Sequence, residues 1–137
     1  MTSKFLLGTY TRRASKGIYS VELNTETKTL ENIELVSEVG NPTYLDTNSD
    51  QSIIYTVVSE DGEGGLLSLV RNESGEYERK AIVLDEGKSP CYVALDEDRQ
   101  LVYTAYYHTG EVMVFKTDTE GHLELVDTVT HKGQSVH

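Results

Sequence analysis

The sequence has no tryptophan, one cysteine and two prolines in 137 residues. A single thiol, Cys91, excludes an internal disulfide framework and accords with a reducing compartment. Cations are scarce: 12 Lys and Arg stand against 23 Asp and Glu, a net charge of −11. No basic cluster is available to neutralise a phosphate backbone, which argues against nucleic acid as a partner. Anionic membrane surfaces are disfavoured for the same reason. A small anionic substrate stays open, because a local Arg or Lys in a pocket outweighs a distant negative surface. Long apolar runs are missing too. Phe5-Leu6-Leu7, the longest near the start, is too short for a signal-peptide core or a membrane span. These absences predict a soluble, cytoplasmic globular protein of one domain.

What is present is a repeat. The stretch Pro42–Thr56 (PTYLDTNSDQSIIYT) returns 48 residues later as Pro90–Thr104 (PCYVALDEDRQLVYT). Over the 16 positions from Asn41/Ser89, five are identical: Pro42/Pro90, Tyr44/Tyr92, Asp50/Asp98, Tyr55/Tyr103 and Thr56/Thr104. A period in the forties with strand-like content marks a β-propeller blade, a unit that must stack on neighbours to bury its faces.

Three strand types recur in register. The most apolar begins at Phe5 (FLLGTYT), Ile53 (IIYTVVS) and Leu101 (LVYTAYY), spaced 48 and 48. Continuous apolar runs of this length fit strands covered on both faces. A second, alternating type begins at Gly17, Gly65 and Gly110, and a third at Leu30, Tyr77 and Leu123. Asn24–Thr29, Asn72–Glu76 and Thr117–His122 have turn composition and join the second type to the third. An innermost strand precedes the apolar one near Thr43–Thr47 and Cys91–Asp96, and the first repeat lacks it. The expected fold is therefore all-β: four-stranded antiparallel blades in a partial ring, with 3, then 4, then 4 strands. The units fall at about 1–39, 40–87 and 88–132, with 133–137 a lead-in to a further blade.

Laid out in this way, the residues resemble the bacterial lactonase family (6-phosphogluconolactonase-like) of seven-bladed propellers. The resemblance rests on Gly8-Thr9-Tyr10-Thr11, on Gly17-Ile18-Tyr19 followed by Leu23, and on Gly40-Asn41-Pro42-Thr43-Tyr44-Leu45. Ser89-Pro90-Cys91-Tyr92-Val93-Ala94 and the closing His131-Lys132-Gly133-Gln134-Ser135-Val136-His137 add to it. A whole member needs about seven units of ~46 residues, roughly 320 in all, so the chain resembles the N-terminal two-fifths. The resemblance implies hydrolysis of a sugar lactone, 6-phosphogluconolactone to 6-phosphogluconate, without a cofactor, at the channel end where the loops entering the inner strands converge. The family's Pro-His-x-His motif, preceded by Arg-Gln, is expected just after a lead-in like Ser135-Val136-His137. Neither Pro42-Thr43-Tyr44-Leu45 nor Pro90-Cys91-Tyr92-Val93 carries a histidine, so the principal acid and base fall on no position of this sequence.

Lactone hydrolysis needs an activated water, donors for the developing oxyanion and an anchor for the phosphate. His137 and His131 flank the closing lead-in and are the channel-mouth candidates, with Ser135 beside them as a substrate contact. Tyr44 and Tyr92 recur at matched positions, which fits either channel-lining hydroxyls that meet substrate or packing between adjacent blades. His108 and His122 read as surface residues in loops. Cys91 occupies a small-residue slot matched by Thr43 and reads as packing, since no histidine motif accompanies it.

Several patterns mislead. Asp46-Thr47-Asn48-Ser49-Asp50-Gln51 mimics half a calcium loop, but Gln51 replaces the needed glycine and Val57 stands where the last ligand belongs. Glu60–Gly65 is glycine-rich but acidic, the wrong sign for cradling phosphate, and reads as a flexible loop. Asn72-Glu73-Ser74 matches a glycosylation sequon without any sign of secretion. Zinc-type spacing is absent, and no metal is expected. Two alternatives stay open beside the sugar lactonase: a non-catalytic propeller binding or scaffold module, and a related propeller enzyme acting on muconolactone-type carboxylates. The incomplete ring also implies self-association through open blade edges, and little activity for this chain alone.

Overall fold

The computed structural model describes residues 2–87 and 89–131. They form eleven strands and no helix, arranged as three antiparallel sheets. The first sheet has the order β1 (Thr2–Leu7), β2 (Gly17–Asn24), β3 (Thr29–Glu38). The second runs β4 (Leu45–Thr47), β5 (Ile53–Glu60), β6 (Glu63–Arg71), β7 (Tyr77–Glu86). The third runs β8 (Tyr92–Asp96), β9 (Leu101–Tyr106), β10 (Glu111–Lys116), β11 (Glu124–Thr130). The 3+4+4 strand order of a partial propeller follows directly, with β4 and β8 adjoining as the innermost strands.

The apolar run at Ile53 has a simple geometric cause. Successive strand residues point to opposite faces, and both faces of the second sheet are covered. Ile53, Tyr55 and Val57 pack toward the third sheet against Val93, Val102, Tyr106 and Phe115. Ile54 and Val58, with Leu67 and Leu69 of β6, pack toward the first sheet against Ile18 and Val39. Fully burying such a side chain is worth about 1.5–3 kcal/mol relative to leaving it exposed, so the second sheet is the structural centre. The same run in β1 fares differently. Phe5 and Leu7 are 47% and 42% exposed, because β1 edges its sheet and no described sheet covers its outer face. The expectation of cover on both faces thus fails for the first repeat.

Boundaries shift elsewhere. The first strand ends at Leu7, leaving Gly8–Thr11 as a loop, and the inner strands begin at Leu45 and Tyr92, later than expected. The expected flexible loop at Glu60–Gly65 is instead a two-residue hairpin. Strand pairing runs to Glu60↔Glu63, and Asp61 and Gly62 between them both have positive φ, 52° and 81°. That is the type I′ geometry whose twist matches the flanking strands, and Asp-Gly is among its preferred sequences.

Polar links fix the blade-to-blade register. Leu95 N–H of β8 donates to Asp46 Oδ2 of β4 at 2.8 Å, and Ser49 N–H donates to Glu97 Oε1 at 2.8 Å. Asp46 therefore serves as an inter-blade acceptor, while Asp50 Oδ1 accepts from Ser52 N–H within its own turn. The calcium-like stretch is spent on the fold.

Candidate functional site

At one end of the sheets β4 and β8 begin and β5 and β9 finish, so the loops entering the inner strands meet there. Between them lies a groove of about 400 Å³. The loop after β1 supplies Tyr10 and Arg12, the lead-in to β4 supplies Asn41, and the lead-in to β8 supplies Ser89 and Cys91. Tyr107 and His108, from the turn between β9 and β10, complete the far wall.

Local chemistry holds the β1 loop in place. Thr9 Oγ1 donates to Gly17 O at 2.6 Å. Asn41 Oδ1 accepts from Thr11 N–H at 2.9 Å, and Asn41 N–H donates to Thr11 Oγ1 at 3.1 Å. Asn41 adopts φ 46°, a left-handed conformation that asparagine tolerates better than most residues. Gly8 is required for a different reason: a Cβ there would collide with the Pro42 carbonyl oxygen. The loop is thereby pressed onto the lead-in, and Arg12 is set over the Tyr10 ring, 5.7 Å from its centroid.

Tyr44 and Tyr92 meet at the inner strands, their ring centroids 4.5 Å apart and tilted by 37°. They are 40% and 37% exposed. Packing between adjacent blades and an accessible phenolic edge therefore coexist at one pair. A hydrogen bond with Tyr92, then partial burial, pushes the Tyr44 hydroxyl above its usual value.

The histidines separate. His131 follows the outermost strand β11, exposed, its N–H donating to Gly110 O at 2.7 Å. Three strand spacings, about 14 Å, lie between that strand and the innermost one. His137 and Ser135 lie outside the described residues. His122 sits in the turn after β10, at the opposite end of that strand from the groove, with Nδ1 2.8 Å from Asp118 Oδ2. His108 is an exposed turn residue, as expected, and also forms part of the groove wall, edge-on to Tyr107 with centroids 5.3 Å apart. Cys91 is half-buried and anchored by its N–H to Ala105 O at 2.9 Å.

Asp118, Glu120 and His122 bring three potential metal ligands together, all exposed. The turn itself accounts for Asp118: its Oδ1 accepts from the N–H groups of Glu120 and His122 at 2.9 and 3.1 Å. The His122 contact, with these bonds, holds the Asp118 carboxyl below its ordinary value.

Tyr10, Arg12 and Asn41 were not legible as site residues from their own identities. A usable signal was present in the charge order. The first acidic residue of this acidic chain is Glu22, whereas Lys4, Arg12, Arg13 and Lys16 precede it.

Comparison with known proteins places these features in context. The family model described as "Lactonase, 7-bladed beta-propeller" matches residues 4–137. A Bacillus subtilis protein named 6-phosphogluconolactonase is 41% identical over 133 residues, covering 96% of this chain and 38% of that protein. A solved Lactobacillus plantarum protein superposes with a TM-score of 0.87 at 42% identity, over 96% of this chain and 38% of its own. The Pseudomonas aeruginosa periplasmic gluconolactonase shares the fold, with a TM-score of 0.82 at 24% identity. The chain thus spans about 38% of the length of the curated relatives it matches.

Proposed function

Because this chain belongs to the lactonase family of seven-bladed β-propellers, we propose that it forms part of an enzyme that hydrolyses a sugar lactone, converting 6-phosphogluconolactone to 6-phosphogluconate. One observation carries the reading: the family match takes in every wall of the groove, and the Bacillus subtilis relative at 41% identity bears that name. Water adds to the lactone carbonyl carbon, the ring C–O bond breaks, and the departing alkoxide takes up a proton. Tyr44 and Tyr92 are proposed as substrate contacts, and one O–H of this hydrogen-bonded pair remains to donate to the carbonyl oxygen as charge develops on it. Of the two channel-mouth histidines, His131 stands at the outer strand, and His137 is proposed to line the site with Ser135 as a substrate contact beside it.

The test is lactone opening by the full-length protein, followed against the spontaneous rate. Acceleration of 6-phosphogluconolactone opening supports the reading. No acceleration leaves a non-catalytic binding module, and faster turnover of a muconolactone moves the substrate class to carboxylates. We place the protein in the cytoplasm, on its single thiol; recovery of it from a periplasmic or extracellular fraction would reverse this.

A further inference from the structure

We propose that the groove is an anion site that takes the phosphate of a phosphorylated sugar lactone or acid, with Arg12 as its principal charge. The sugar's identity rests on the lactonase reading, whereas the anion preference rests on the groove alone.

Charge is the first argument. None of the 12 described residues that line the groove is Asp or Glu, in a chain that carries 23 of them. Other concavities on this molecule differ. The one at the opposite end of the sheets contains Asp50, Glu97 and Asp118, and the one beside Arg79 contains Glu38 and Glu60. An anion entering the Arg12 groove therefore meets a cation and no carboxylate in the described walls, and at physiological salt acidic side chains more than about 8 Å away are largely screened.

The second argument is the state of Arg12. Arg79 and Arg99 are committed to Glu60 and Asp96 at 2.7 and 2.9 Å. Arg12 has no carboxylate partner among the described residues; its contact is the face of Tyr10. A ring face accepts no conventional N–H···O bond from the guanidinium, so the planar fork of N–H donors stays available for a phosphate.

Preorganisation is the third. The bonds from Thr9 and between Asn41 and Thr11 fix the loop before any ligand arrives, so less ordering entropy is lost on binding. Asn41 Oδ1 is taken by Thr11, and its Nδ2 has no partner among the described residues; Ser89 adds a hydroxyl to the wall. A groove of about 400 Å³ also matches a small-molecule ligand in size.

The experiment is calorimetric titration of the full-length protein with 6-phosphogluconate, gluconate and inorganic phosphate. The wild type should bind 6-phosphogluconate more tightly than gluconate. Arg12→Ala should weaken 6-phosphogluconate by about 10- to 100-fold, the range for a hydrogen bond to a charged group, and leave gluconate unchanged. Arg12→Lys should restore part of the loss, and Arg13→Ala, a neighbouring cation outside the groove, should cost nothing. An Arg12→Ala variant that keeps the phosphate preference overturns the proposal, as does Arg12-dependent binding that is tighter for a muconolactone carboxylate than for phosphate. Binding needs no turnover, so the two readings fail separately. Arg12-dependent phosphate binding without lactone opening supports the site and sinks the activity, while an active lactonase indifferent to Arg12 does the reverse.

Discussion

The phenolic oxygen of Tyr55 lies 2.8 Å from Thr117 Oγ1, buried between the second and third sheets. Ser68 Oγ donates to Gly121 O at 2.6 Å along the same seam. The turn after β10 is thus keyed into the preceding blade by two side-chain hydroxyls. Tyr103, which matches Tyr55 in the repeat, is only half-buried, because no described sheet lies beyond the third. One residue type serves two environments according to what stacks on it.

Tyr55→Phe should lower stability by about 1–2 kcal/mol, since it leaves the Thr117 hydroxyl buried without its partner. The urea midpoint of the full-length protein reads this directly. Thr117→Val added to Tyr55→Phe should cost less than the sum of the two single changes, because both remove the same bond. Full additivity would show that the bond contributes nothing.

Glu60 accepts both Arg79 guanidinium donors, at 2.9 and 2.7 Å, and the Gly40 N–H at 2.9 Å. The Arg79 bonds first, then the Gly40 bond, hold its carboxyl below the ordinary 4.5. A depressed folded pKa contributes stability above the unfolded value and loses it as pH falls through the folded one. The Tm gap between wild type and Glu60→Gln should therefore be full at neutral pH and close as pH drops below 4.5. A gap independent of pH would show that the ion pair is not its source.

Gly62→Ala isolates backbone strain. Gly62 has φ 81° and open space where a Cβ would stand, so no clash contributes. The change should cost about 1–2 kcal/mol, the penalty of the left-handed region for a residue with a Cβ. Thermal melts of the two proteins settle the value, and an unchanged Tm would mean that the hairpin rearranges.

The 137-residue chain expressed by itself should self-associate. Phe5, Leu7, Leu125, Val126 and Val129 are between 42% and 57% exposed on the edge strands β1 and β11, and edge strands with apolar side chains template pairing with other chains. Sedimentation velocity should show species larger than a monomer. A monodisperse monomer that unfolds cooperatively would contradict the expectation.

The blade count and strand order were legible because the information is periodic. Each blade solves the same packing problem, so the same pattern returns near every 48 residues, and turn composition between runs marks the hairpins. The site was far less legible. Tyr10, Arg12, Asn41 and His108 come from three different blades, and although Tyr10 and Asn41 stand in stretches that carry the family resemblance, nothing in those stretches marks a site, since only the convergence of lead-in loops brings the four to one groove. The sequence by itself determined the scaffold, the family resemblance and the charge balance, because these depend on local pattern and composition. The tertiary structure alone decided that β1 stays exposed, that Tyr44 and Tyr92 stack, and that Arg12 stands without a carboxylate partner among the described residues. Those outcomes depend on what packs against each residue from distant parts of the chain, which no local pattern encodes.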